Sequence, residues 1–99
     1  GDCCGLGLEL LPRPYFGGYH ILVRAWPEDD KELSGETKKA LRTALIKDGS
    51  VFRPRNHKWC IATASKPLEE RLRFDRGTES HTAALKEIVQ AFADFCREH

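Results

Sequence analysis

TESHTAALKEIVQAFADFCREH, residues 78–99, is the stretch whose reading decides the fold. Leu85, Ile88, Val89, Phe92, Phe95 and Cys96 recur at i, i+3, i+4, i+7, i+10 and i+11. That spacing predicts an amphipathic helix with one apolar stripe. Thr78 or Ser80 is placed to cap it, and Glu79 suits the positive end of the helix dipole. A helix with one apolar stripe must bury it against another layer. The upstream sequence has to supply that layer.

It supplies strands. Leu6, Leu8 and Leu10 alternate with Gly7 and Glu9, the period of a strand, and the glycines point to an edge position. Pro12-Arg13-Pro14 stops it, and Gly17-Gly18 marks a turn. Residues 19–26 are β-formers. Tyr19, Ile21, Val23 and Ala25 would line one face, with His20, Leu22, Arg24 and Trp26 on the other. Ser34 reads as an N-cap, followed by Ala40, Leu41, Ala44 and Leu45 at helical spacing. Gly49 sits where a C-terminal cap belongs. Residues 51–54 are a candidate short strand and 59–65 a better one, broken by Pro67. Residues 71–75 read as a further strand, with Leu72 and Phe74 inward and Arg71, Arg73 and Asp75 outward. The expected fold is α+β, a mostly antiparallel sheet of four to five strands with two helices on one face. The element order is β-β-α-(β)-β-β-α. The other sheet face is partly polar and available to a partner.

Ninety-nine residues make one domain, expected over 1–99 and excised from a longer protein. A chain of this size buries about 65% of its unfolded surface, enough for one core. Hydrophobic residues are 40% and charged residues 31%, a globular balance that excludes disorder. No apolar run approaches the ~18 residues of a membrane span. Adjacent Cys3 and Cys4, with Cys60 and Cys96 inside regular elements, do not resemble a disulfide scaffold. An intracellular, reduced protein with four thiols is expected.

The net charge of +1 gives no whole-protein field for nucleic acid or anionic lipid. Locally the charge is uneven. Residues 38–58 carry Lys38, Lys39, Arg42, Lys47, Arg53, Arg55 and Lys58 against Asp48 alone, an excess of +6. Residues 28–36 carry five acids and one lysine, an excess of −4. The densest part, residues 52–59, mixes Arg53, Arg55, His57 and Lys58 with Phe52 and Trp59 in an expected loop. Arginines grip phosphate and exposed aromatics stack on bases, so Lys38, Lys39, Arg42, Arg53, Arg55, His57, Lys58 and Trp59 form a candidate nucleic-acid or phosphate site. The plainer reading places Phe52 and Trp59 at the core ends of strands. Tyr15, Phe16 and Tyr19 surround a glycine turn and are candidate protein-interface anchors.

Catalytic and metal chemistry find little footing. His57 and Cys60 stand as H-x₂-C, which is not zinc-ligand spacing, and no metal or cofactor is expected. Cys60 with His57 or His81 and Asp75 lacks any local signature of an activated nucleophile. No P-loop, dinucleotide fingerprint or EF-hand is present. The expectation is therefore a non-catalytic interaction or regulatory domain of a larger intracellular protein. Its partner is another protein or another domain of the parent chain, with nucleic-acid binding as the alternative. The sequence leaves the oligomeric state open.

Overall fold

The computed structural model describes residues 6–12, 19–25, 34–47, 51–57, 59–74 and 77–98. Among these residues four strands and three helices follow one another as β1 (Leu6–Pro12), β2 (Tyr19–Ala25), α1 (Gly35–Ile46), β3 (Phe52–His57), β4 (Cys60–Ala64), α2 (Lys66–Phe74) and α3 (Glu79–Glu98). The sheet order is β1-β2-β4-β3 and every pairing is antiparallel. This is the expected α+β class, with β1 on an edge as its glycines implied. Two hairpins, β1-β2 and β3-β4, meet through their second strands.

All three helices contribute to one apolar cluster. Leu45 comes from α1, Leu68 and Leu72 from α2, and Ala84, Ile88, Phe92 and Phe95 from α3. The sheet supplies Leu6, Ile21, Val23, Phe52, Ile61, Ala62 and Ala64. The helices therefore cover one face. On β4 the register slips by one: Val23 faces Ala62, while Arg24 faces Cys60, leaving Ile61 as the extra residue. The bulge keeps Ile61 in the core and turns Cys60 to the other face beside Arg24. Leu22 and Cys60 are buried yet lie outside the core cluster, on that second face with Thr63.

The N-terminal capping expectations hold, while Gly49, the expected C-terminal cap of α1, lies outside the described residues. The Ser34 side chain accepts from Thr37 N and starts α1. Thr78 Oγ1 accepts from His81 N at the start of α3.

Three readings are corrected. Residues 71–74 are helical rather than a strand, so there are three helices and the order is β-β-α-β-β-α-α. Leu72 pairs at i+4 with Leu68 rather than at i+2 with Phe74, and both leucines are buried. Pro67 sits in the first helical turn, where a missing N–H costs nothing. Phe74 is accordingly not inward but 69% exposed. Second, the short strand expected over 51–54 runs on to His57, so most of the basic stretch expected as a loop is strand. Pro54 is tolerated because β3 is an edge. Third, the apolar stripe of α3 is narrower than its pattern: Val89 is 51% exposed, outside the buried line of Ala84, Ile88, Phe92 and Phe95.

Candidate interaction surface

The basic segment divides between two elements. Lys38, Lys39 and Arg42 lie on α1, and Arg53, Arg55 and His57 on β3. Lys58 is outside the described residues, and Trp59 is half-buried just ahead of β4. Among these, the three arginines are held by the protein itself. Arg42 donates from Nε to the Ile61 carbonyl at 2.9 Å and from Nη2 to the Arg55 carbonyl at 3.1 Å. Those carbonyls lie in the irregular stretch of the β3-β4 ladder, where the register shifts between Pro54 and His57. Arg53 donates to the Ala64 carbonyl at 3.0 Å and forms an ion pair with Glu69 of α2. Arg55 Nη1 lies 2.5 Å from His20 Nε2 on β2. A guanidinium can only donate, so in this contact Nε2 is the acceptor and Nδ1 is the other ring nitrogen. That nitrogen faces Glu69 at 3.7 Å. Arg53, Glu69, His20 and Arg55 thus form one chain of contacts joining β3, α2 and β2. Glu69 and His20 were not candidates in the sequence; both lie far along the chain from the arginines they meet.

His57 is exposed, and its Nδ1 accepts from Trp59 N at 3.2 Å. Lys39 is exposed on α1. Tyr15 and Phe16 fall outside the described residues, while Tyr19 opens β2 opposite Pro12. The described basic side chains are thus spread over α1 and β3.

Cys60 shows no sign of activation. Its Sγ donates to the Ala62 carbonyl at 3.2 Å. Burial pushes its thiol pKa up; the Ala62 bond and the nearby Arg55 and Arg24 charges oppose this without reversing it. A thiol held protonated is a poor nucleophile. Cys96 is also a free thiol, half-buried. Asp75, the acid of the candidate triad, lies outside the described residues. Among the described residues no group of three or more His, Cys, Asp or Glu side chains is placed to hold a metal ion. No helix there is long and apolar enough to cross a membrane.

The two sheet edges differ. The β3 edge is blunted by Pro54, by flanking arginines, and by α1, which packs against β3 and engages its Arg55 carbonyl. Among the described residues, the β1 strand shows none of these devices between Leu6 and Leu11. Its one charge, Glu9, is bound to Arg24 at 2.7 Å. Gly7 is buried, but from Leu8 onward the strand is accessible, with Leu10 39% exposed and Pro12 also exposed. Elsewhere, Phe74 stands under the Arg73 guanidinium, 5.0 Å from the ring centre. The pair borders an open pocket of about 220 Å³ with Arg53, Lys66, Glu69 and Glu70.

Comparison with protein-family models, with curated proteins and with solved structures finds no match for this chain.

Proposed function

We propose that this chain is a non-catalytic protein-interaction domain and that it meets its partner, another protein or another domain of the parent chain, by strand addition at the outer edge of β1. The observation that carries the reading is the contrast between the edges. An edge strand offers a row of backbone donors and acceptors to any extended chain. β3 is defended against such pairing, whereas β1 is seven residues long and has no lysine, and its only proline is at its last position. The exposed Leu10 adds an apolar contact beside the backbone row.

The alternative, a nucleic-acid or phosphate-binding module on segment 38–58, loses force because Arg42, Arg53 and Arg55 each have an intramolecular acceptor. Phosphate would have to compete with those partners.

The test is a selection of random extended peptides on the domain, followed by titration of the selected peptides into wild type, Leu10→Lys and Lys39→Ala. The reading expects alternating apolar peptides whose binding survives Lys39→Ala and is lost in Leu10→Lys. Peptides rich in acids, bound equally by Leu10→Lys and lost in Lys39→Ala, would move the site to the basic segment.

A further inference from the structure

We infer that His20 is an acid-sensitive latch: on protonation its ring exchanges Arg55 for Glu69 and releases the Arg55 side chain from the sheet. Arg55 Nη1 lies 2.5 Å from His20 Nε2, and His20 Nδ1 lies 3.7 Å from Glu69 Oε1. The other carboxylate oxygen of Glu69 is held by Arg53. The imidazole of β2 thus stands between a cation of β3 and a carboxylate of α2, and the two contacts answer a proton in opposite ways. Every guanidinium hydrogen is a donor, so the Arg55 contact needs a bare lone pair on Nε2. A protonated imidazole has two donors and no acceptor. Protonation therefore ends the Arg55 contact and sets two cations against each other. At Nδ1 the same charge strengthens the approach to Glu69, which becomes a charge-assisted bond as it closes.

The charge balance selects Arg55 as the group that leaves. With His20 neutral, the four side chains set two guanidinium groups against one carboxylate. A proton on the ring adds a third cation, and the cluster sheds the excess by letting one guanidinium go. Arg53 is held twice, by Glu69 and by the Ala64 carbonyl. The Arg55 guanidinium has His20 as its described partner, and it is half-buried on the edge strand β3, with water in reach. Its backbone stays fixed, because the Arg55 carbonyl accepts from Arg42. The other described elements packed on β2 leave this exchange intact. On β1, Glu9 is bound to Arg24 and stands opposite Leu22 rather than His20. On β4, Cys60 stands opposite Arg24, and burial raises its thiol pKa, so it stays uncharged where an imidazole titrates. On α2, Lys66, Glu70 and Arg73 line the open pocket beside Glu69. Acidification thus turns Arg55 from an internal partner into a surface cation.

The experiment is side-chain NMR of the full isotopically labelled chain from about pH 8 to about pH 5, the range in which imidazoles titrate. In wild type the Arg55 Nε–H signal is expected to move with the same midpoint as the His20 ring and to end where an unpaired arginine resonates, while the Arg53 signal holds. In His20→Gln, whose amide does not titrate, the Arg55 signal should stay flat across the range. Glu69→Gln removes the carboxylate that receives the charged ring and should lower the His20 midpoint by about one pH unit; Arg55→Gln removes the opposing cation and should raise it. An Arg55 signal that ignores the His20 midpoint in wild type, or that still moves in His20→Gln, would overturn the inference. So would a His20 midpoint that fails to fall in Glu69→Gln or fails to rise in Arg55→Gln, with the amide spectrum of each variant showing the native fold. The wild-type arm needs no substitution, so it decides the matter even where a variant does not fold.

Discussion

Arg42→Ala should destabilise the fold far more than Lys39→Ala, although the two residues stand three positions apart on the same basic helix. The Arg42 guanidinium donates to two carbonyls, Ile61 O and Arg55 O, across the irregular part of the β3-β4 ladder. Hydrogen bonds to a charged group contribute about 1.5–3 kcal/mol each. Arg42 is half-buried, so water recovers part of each carbonyl's bonding, and the expected net loss is about 2–3 kcal/mol. Lys39 is exposed and its replacement should stay within about 0.5 kcal/mol. Arg42→Lys is the informative third variant. It keeps the charge a phosphate would need, but a single ammonium does not reproduce the fork that spans both carbonyls. It should fall close to Arg42→Ala. The assay is urea unfolding, with the slope checked for constancy so that midpoints convert to stability. Equal midpoints for Arg42→Ala and Lys39→Ala would refute a structural role for Arg42 and return it to the surface as a ligand-binding candidate.

Phe92 is 6% exposed at the centre of the α3 stripe. Phe92→Ala should cost about 3–5 kcal/mol by thermal or urea unfolding, a large share of the ~5–10 kcal/mol a domain this size commonly has. Arg53→Glu should destabilise rather than act as a neutral surface change, because it sets a second carboxylate against Glu69; circular-dichroism melts of Arg53→Glu and Arg53→Gln would show the reversal melting lower. Cys60 gives an alkaline signature. Its folded pKa is raised, so the native state holds the proton that the unfolded chain releases first. Stability is therefore full below the unfolded thiol pKa and declines as pH rises through and beyond it. Urea midpoints measured from neutral to alkaline pH should fall less steeply in Cys60→Ala than in wild type.

Much of this fold was legible because its longest elements repeat their signal. α3 carries its stripe over several turns, β1 alternates from Leu6 to Leu10, and β2 is an unbroken run rich in β-formers. Nine-residue α2 was not legible, because Leu72 fits period two with Phe74 and period four with Leu68 equally well. Only the tertiary position of Leu68 decides between them. β3 was legible only in its first half, over 51–54, for another reason. Its Arg-Pro-Arg core has poor strand propensity, and Arg42 and Glu69 hold it from 13 and 16 residues away. The same distances concealed the fate of the basic segment. Its excess of +6 is plain in the sequence, while the acceptors that occupy its arginines are set by the fold. The edge position of β1 was readable from Gly7, but the defence of the opposite edge required β3 to be recognised first.

Backbone amide exchange on isotopically labelled protein tests the docking edge most directly. The chain would be compared alone and with a saturating β1-selected peptide. The account predicts that amides of residues 8–11 that point away from β2 gain protection with the peptide, while those of β3 and α1 do not change. Protection that rises on Phe52–His57 or along α1, with β1 unaltered, would contradict it.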